Sequence, residues 1–188
     1  MKNICVLYYD EFYEAEIVWA LGNMRNENVF AVALENRVYT SAEKQRFLPD
    51  RTIIEVKPEE VDLLIIPGGN PESLYEDPTV ERFVRELNNQ NKYIAGICGG
   101  TFLMARYGLL DGRKCTGASQ GLKPDADYFN LFSRAVVINE GVVVDKNTIT
   151  ATAQSFIELS IELGKLMGIY SSNEEAVADY KWLKNSKD

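Results

Sequence analysis

Cys98 lies at the end of an apolar run and among glycines, a position that suits a covalent nucleophile. Residues 93–101 read YIAGICGGT, which places the thiol between a predicted strand and a predicted helix. Gly96, Gly99 and Gly100 let the backbone turn sharply there. A thiol at a helix N-terminus faces unpaired N–H groups and the positive end of the helix dipole, which lower its pKa. The spacing therefore predicts a nucleophile elbow with Cys98 as a thiolate.

A second glycine turn supports this interpretation. The segment PGGNP, residues 67–71, follows the apolar run LLII. In an open α/β sheet both turns fall at the edge where ligands bind. The backbone N–H groups of Gly69 and Gly99 could then hold an oxyanion beside Cys98. The predicted pocket consists of Gly68, Gly69, Gly99 and Gly100, with Asn70 and Thr101 as possible lining.

An acidic residue is a candidate partner for the thiol. Glu11, Glu14 and Glu16 cluster at the start of the first predicted helix, where the helix dipole alone would favour acids. Glu16 also adjoins the apolar stripe that begins at Ile17, so its carboxyl group is expected to be partly buried with a raised pKa. A protonated Glu16 could donate a hydrogen bond to a thiolate or carry a proton.

The rest of the composition excludes several mechanisms. The chain has no histidine, so imidazole bases and histidine-ligated zinc are excluded, and identical partner chains cannot supply them. We predict no metal and no cofactor. Cys5 and Cys115 lie in strand-like patterns without adjacent glycine, which indicates buried structural thiols.

Charge and hydropathy limit the partners. The formal net charge is −8 with no basic tract, so neither nucleic acid nor an anionic membrane is an expected partner. The N-terminus lacks the pattern of a signal peptide, and no apolar run would span a bilayer. We therefore expect a cytoplasmic protein with free thiols.

The elements that position Cys98 alternate between apolar runs and helical patterns, as in a βαβ layer fold. The predicted strands or β-rich stretches are Asn3–Tyr8, Val29–Leu34, Val38–Thr40, Thr52–Val56, Leu63–Ile66, Tyr93–Ile97, Ala135–Ile138, Val142–Val144 and Thr148–Thr152.

Helical spacing marks five segments of the chain. The apolar stripes begin at Ile17, Val80 and Phe156, a further helix covers Gly99–Tyr107, and Ser172 with Glu175 has the spacing of a capping box. Asp77 is predicted to cap the helix that contains Val80, and Gly168 is predicted to end the helix that contains Phe156. The chain is predicted to be one domain, 1–188, with a mainly parallel sheet and helices on both faces.

These motifs together resemble the ThiJ/PfpI superfamily, which has the class I glutamine amidotransferase-like fold. DEFYEAEIVWAL is similar to the family's first helix, IIPGGNPESL to its double-glycine turn, and AGICGGTFLMA to its cysteine elbow. The resemblance implies a flavodoxin-like three-layer sandwich and singles out Cys98 and Glu16 as catalytic. TATAQSFIEL resembles the segment that closes the pocket, which implies Thr152, Ala153 and Gln154 as possible lining.

Two departures narrow the function that the resemblance implies. Many members carry a histidine directly after the cysteine, where this chain has Gly99, or in the strand-exit segment, where it has Ala118. A Cys-His protease and a glutamine amidotransferase are therefore not expected. The resemblance instead implies thiol chemistry on small reactive electrophiles, of the glyoxalase or deglycase type.

Three alternatives stay open at this point. Cys98 could be oxidised to a sulfenic or sulfinic acid in a non-enzymatic redox sensor or stress protein. An isocyanide-hydratase-like hydrolysis is an enzymatic option within the same scaffold. The third is a binding module whose pocket no longer catalyses a reaction, which the lack of histidine favours. The expected partner is a small-molecule substrate or oxidant. The resemblance also implies a homodimer or a higher homo-oligomer.

Overall fold

The computed structural model describes residues 1–185. Its strands are β1 (Asn3–Leu7), β2 (Asn28–Ala33), β3 (Tyr39–Thr40), β4 (Arg46–Phe47), β5 (Arg51–Thr52), β6 (Leu63–Ile66), β7 (Tyr93–Ile97), β8 (Lys114–Cys115), β9 (Val136–Val137), β10 (Val142–Asp145) and β11 (Thr148–Ala151). Its helices are α1 (Val18–Asn23), α2 (Pro78–Asn89), α3 (Gly100–Arg106), α4 (Phe156–Met167) and α5 (Asn173–Leu183).

A seven-stranded sheet forms the centre, in the order β10-β11-β7-β6-β1-β2-β5. Strands β11, β7, β6, β1, β2 and β5 run parallel, and only β10 is antiparallel to its neighbour β11. Helices cover both faces, with α4 packed between α1 and α5 and with α2 and α3 packed against β7. The predicted flavodoxin-like architecture is confirmed.

The core follows from the apolar runs in the sequence. Strands β6 and β7 contribute Leu63–Ile66 and Ile94–Ile97, and every side chain of β6 is fully buried, as expected of a strand covered on both faces. Helix α2 begins at the predicted cap, because the Asp77 carboxylate accepts hydrogen bonds from the Thr79 and Val80 N–H groups. Helix α4 ends at Met167, directly before the predicted stop at Gly168, which adopts a left-handed conformation.

The strand predicted within Ala135–Ile138 is present as β9, which pairs with β8 in a separate two-stranded sheet. Two local predictions need correction. Only Thr52 of the stretch Thr52–Val56 lies in a strand, since Ile53–Glu55 form a 3-10 turn capped by Thr52. At the start of α5 the Ser172 hydroxyl accepts from the Glu175 N–H, but the Glu175 carboxylate bonds Ser171, so the box is not reciprocal.

The prediction of one domain extends over 1–188, of which residues 186–188 lie outside the described residues. Among residues 1–185, no helix combines the length and the apolar character that crossing a bilayer requires.

Candidate functional site

Cys98 occupies the turn between β7 and α3 in a left-handed backbone conformation, with φ of 52°. This region is uncommon for a residue with a side chain and marks local strain. The turn is held from both sides. The Cys98 N–H donates to the Ala151 carbonyl at 2.9 Å, and the Thr101 hydroxyl donates to the Cys98 carbonyl at 2.6 Å. The thiol is half-buried at the carboxyl edge of the sheet.

The two glycine turns meet at this edge, because β6 and β7 are adjacent parallel strands. A methyl group on Gly99 would come within 1.9 Å of the Gly69 carbonyl oxygen, so the two backbones approach as closely as only glycine permits. Hydrogen bonding from the N–H groups of Gly99 and Gly69 acts to lower the pKa of the Cys98 thiol. Their role as oxyanion donors stays a prediction.

The Glu16 side chain is the second candidate functional group, and it approaches Cys98 at Gly68. It ends a 3-10 turn, Glu14–Glu16, directly before α1, and its side chain is only 9% exposed. Its Oε2 accepts a hydrogen bond from the Gly68 N–H at 3.0 Å. A methyl group on Gly68 would lie 2.0 Å from Glu16 Oε2 and 2.7 Å from Cys98 Cβ, so Gly68 is where the carboxylate and the cysteine converge.

Burial sets the ionisation of Glu16. Desolvation raises the pKa of this carboxyl group to about 7, while its interactions with Cys98 and with the Gly68 N–H act in the opposite direction. The raised pKa predicted from the sequence is confirmed. Glu16 can therefore both accept and donate a proton near neutral pH, which is the property required of a general acid and base.

The prediction of a lowered thiol pKa is wrong. Desolvation and the negative charge of Glu16 raise the pKa of Cys98 to about 12, and the N–H groups of Gly99 and Gly69 offset only part of this. Helix α3 has seven residues, so its dipole is weak. Because a negative charge on one group disfavours a charge on the other, Cys98 and Glu16 titrate as a pair. Between their two pKa values the pair holds one proton, which lies on the Cys98 sulfur while Glu16 is ionised.

A cleft of about 530 Å³ opens beside the Gly69 turn. Its walls include Tyr75, Phe102 and Tyr128, and the rings of Phe102 and Tyr128 stack with centroids 4.6 Å apart. Glu72 and Asp127 also line it, and none of its described lining residues is a lysine or an arginine. A small molecule without negative charge suits these walls.

The other predicted pocket residues have different positions. Asn70 lines the cleft, and its side-chain oxygen accepts from the Glu72 N–H. Gly100 lies against the Ile66 carbonyl, 2.2 Å from where a Cβ would be, and so serves packing between α3 and β6. Thr101 is fully buried beneath the elbow. Thr101 does not line the cleft. Its hydroxyl donates to the Cys98 carbonyl, so Thr101 supports the turn from within the core.

Thr152, Ala153 and Gln154 follow β11, the neighbour of β7, at the same edge of the sheet. The Thr152 hydroxyl lies 2.8 Å from the Ser155 hydroxyl. The N–H groups of Ala153 and Gln154 donate to the carbonyls of Ala118 and Ser119. The structure therefore places these residues next to the elbow, and none of their described hydrogen bonds reaches Cys98.

Sequence reasoning missed one buried polar residue next to the site. The Tyr9 hydroxyl lies 2.7 Å from both the Pro67 and the Gly68 carbonyl oxygens. Tyr9 stands two residues beyond β1 in the run LYYDEF, where tyrosine is an ordinary strand-end residue. The only available signal was an apolar position with a hydroxyl group that would need a partner when buried.

Solved structures with the same fold include DJ-1 proteins. A mutant of a DJ-1 superfamily protein from Salmonella typhimurium superposes with a TM-score of 0.81 at 24% identity, covering 98% of each chain. The DJ-1beta protein of Drosophila melanogaster gives a TM-score of 0.80 at 21% identity, covering 97% of each chain. These similarities show the fold.

Sequence relatives point the same way. A protein of Methanocaldococcus jannaschii is 33% identical over 129 residues, which cover 66% of this chain and 60% of that protein's length. Deglycase PfpI of Pyrococcus furiosus is 28% identical over 152 residues, covering 79% and 89% of the two chains. Protein/nucleic acid deglycase 2 of Escherichia coli is 29% identical over 157 residues, covering 80% and 88%.

A family model also matches most of the chain. The model described as the DJ-1/PfpI family aligns with residues 2–165, which include both glycine turns, Glu16 and the elbow at Cys98. The chain therefore belongs to the DJ-1/PfpI family.

Proposed function

We propose that this protein is a cysteine-dependent enzyme that converts small 2-oxoaldehydes or their adducts, with Cys98 as nucleophile and Glu16 as the one proton carrier. The observation that supports this most directly is the convergence of both side chains at Gly68, with two N–H donors at the sulfur. We assign the approach of the electrophile to the cleft that Gly69 lines, since the Gly69 turn adjoins the elbow at Cys98. The names of the deglycase relatives, at 28% and 29% identity, agree with the proposal.

Addition to the aldehyde is the first step. As the Cys98 sulfur bonds to the aldehyde carbon, its proton passes to the Glu16 carboxylate, and the carbonyl π electrons move to oxygen. The N–H groups of Gly69 and Gly99 bind the resulting oxyanion. Glu16 then returns the proton to that oxygen, which gives a hemithioacetal.

An internal redox step follows in the same site. The Glu16 carboxylate removes the proton from the former aldehyde carbon and delivers it to the neighbouring carbon, while the hydroxyl proton moves to the second oxygen. One carbon is oxidised and its neighbour is reduced, so no external oxidant is required. Water hydrolyses the thioester to a 2-hydroxy acid and frees Cys98. Since one carboxylate performs every transfer, slow turnover is expected.

Product formation from methylglyoxal tests this proposal. We expect lactate from the wild-type protein and from Cys5→Ser/Cys115→Ser, and none above background from Cys98→Ser. The double variant is the matched control, because it removes two thiols outside the site. Lactate formation by Cys98→Ser at the wild-type rate would contradict the proposal.

A redox sensor is the second candidate. Two N–H donors and a carboxyl group with a pKa of about 7 could stabilise the oxygens of a sulfinate on Cys98. The raised pKa of the thiol argues against rapid oxidation. Selective, saturable oxidation of Cys98 at low peroxide concentration, without lactate formation, would favour this candidate over the enzyme.

The oligomeric state stays a prediction from the family resemblance. We propose at least a homodimer, which light scattering coupled to gel filtration would measure.

A further inference from the structure

We propose that Tyr9 is a positioning residue for the Cys98–Glu16 pair, because its one hydroxyl group binds the two carbonyls whose peptide N–H groups serve the pair. The inference rests on the proposed function where turnover is concerned. Its structural basis is independent of any substrate.

The two peptides on either side of Gly68 carry the argument. In the Pro67–Gly68 peptide, the carbonyl accepts from the Tyr9 hydroxyl at 2.7 Å and the N–H donates to Glu16 Oε2 at 3.0 Å. In the Gly68–Gly69 peptide, the carbonyl lies 2.7 Å from the same hydroxyl, and the Gly69 N–H acts to lower the pKa of the Cys98 thiol. The single phenol proton is shared between the two carbonyl oxygens, so one hydroxyl contacts both peptides on the side away from the reactive groups.

Peptide geometry links the position of each carbonyl to the direction of its N–H group. In a trans peptide the carbonyl and the N–H point in opposite directions, so fixing one fixes the other. A hydrogen bond to the carbonyl also polarises the peptide and strengthens its N–H as a donor. Removing the hydroxyl would leave the Gly68 carbonyl with the Tyr13 N–H at 2.9 Å, while the described hydrogen bonds give the Pro67 carbonyl no other donor.

The surroundings keep Tyr9 in its donating form. Its side chain is 1% exposed and its ring contacts Phe12 edge-on. Burial and the nearby charges of Glu16, Cys98 and Tyr75 raise the pKa of Tyr9 well above its usual range, so the hydroxyl keeps its proton.

Tyr9→Phe tests the proposal, because it keeps the ring and removes only the hydroxyl. We expect the kcat for methylglyoxal to fall about tenfold with KM nearly unchanged, since the loss concerns donors to the oxyanion. The pH profile for alkylation of Cys98 should shift upward by about half a unit or more, since the Gly69 N–H stabilises the thiolate less well.

Tyr107→Phe is the matched control. Tyr107 is equally buried, and its hydroxyl also donates to a backbone carbonyl, that of Leu74. We expect a similar drop in melting temperature in both variants, and an altered kcat and alkylation profile only in Tyr9→Phe. Unchanged kcat and alkylation profile in a folded Tyr9→Phe would overturn the proposal.

Site-specific replacement of Tyr9 by 3-fluorotyrosine covers the case in which Tyr9→Phe does not fold. This side chain keeps the hydroxyl and makes it a stronger donor, so the alkylation profile should shift in the opposite direction. No shift, or one in the same direction as Tyr9→Phe, would overturn the proposal. If the wild-type protein forms no lactate, the enzymatic function fails, while the alkylation profiles still decide the role of Tyr9.

Discussion

Cys5 and Cys98 are both cysteines of the central sheet, and the contrast between their surroundings shows what makes one a candidate nucleophile. Cys5 is fully buried in β1, between β2 and β6, and burial raises the pKa of its thiol far above the usual range. Cys98 stands just past the end of β7 with a left-handed backbone, half-buried, beside two N–H donors and Glu16. Desolvation raises the pKa of both thiols. What distinguishes Cys98 is its partial exposure to solvent and the nearby proton acceptor Glu16.

Alkylation rates should show the largest difference between the two regions. At pH 8.5 we expect iodoacetamide to label Cys98 faster than Cys5 by on the order of a thousandfold, because Cys5 reacts only after unfolding. Peptide mapping by mass spectrometry after timed labelling measures both rates. In guanidinium the thiols should react alike, which serves as the control. Similar rates in the native protein would show that the Cys5 region opens readily.

The buried acid gives the Cys98 region a pH-dependent stability. Folding raises the pKa of Glu16 from 4.5 to about 7, so between these values the folded protein binds the extra proton. The contribution is fully present below pH 4.5 and is lost as the pH rises through 7, which amounts to about 3 kcal/mol.

Urea unfolding at pH 5 and at pH 8 measures this difference. The free energy of unfolding should fall over this interval in the wild-type protein and less steeply in Glu16→Gln. Equal slopes for the two proteins would show that Glu16 ionises normally.

Gly68→Ala should disturb the Cys98 region through sterics alone. The added methyl group would lie 2.0 Å from Glu16 Oε2 and 2.7 Å from Cys98 Cβ, so both must move. We expect lactate formation to fall some tens of fold, because misplacement of about 1 Å can reduce rates a hundredfold. Gly22→Ala is the control, since no atom outside its own helix lies within 4 Å of the added methyl and turnover should persist. Wild-type kinetics in Gly68→Ala would show that the pair tolerates displacement.

Glu16→Gln separates two effects of the carboxylate. Its negative charge raises the pKa of Cys98, so removing the charge should lower that pKa and speed alkylation about tenfold at pH 7.5. Turnover should fall in the same variant, because the proton carrier is lost. Glu14→Gln, in the same 3-10 turn, is the control for both assays. Slower alkylation of Glu16→Gln would mean that the carboxylate acts mainly as a base toward the thiol.

The charge of the cleft should produce the smallest effect. Glu72 lines it, so anionic iodoacetate should react with Cys98 more slowly, relative to neutral iodoacetamide, than it does with 2-mercaptoethanol. Glu72→Gln should raise the iodoacetate-to-iodoacetamide ratio about twofold, since exposed charges are screened by solvent and salt. Glu86→Gln, exposed on α2, should leave the ratio unchanged. An unchanged ratio in Glu72→Gln would show that reagents approach by another route.

Local patterns predicted the fold well. The run LLII and the segment YIAGI became adjacent parallel strands, and the cap at Asp77 and the stop at Gly168 lie where the sequence placed them. Such features depend on residues within a few positions of each other. The prediction of a β-rich stretch at Thr52–Val56 is wrong, because Glu55 and Thr52 form a local cap that competes with strand pairing.

The sequence by itself determined which chemistry is possible. It supplies a cysteine in a glycine turn, a second glycine turn and an acid beside an apolar stripe, and the lack of histidine excludes an imidazole base. These statements need only residue types and short spacings. They hold wherever the side chains lie in space.

Only the tertiary structure decided how these groups act on one another. Glu16 and Gly68 are 52 positions apart in the chain, and Tyr9 and Pro67 are 58 apart, so neither contact has a local signal. The pKa of Cys98 is raised where the helix pattern predicted a lowered one, because desolvation and the charge of Glu16 exceed the effect of a short helix. Burial and long-range charge are properties of packing, and for that reason they became visible only in the folded chain.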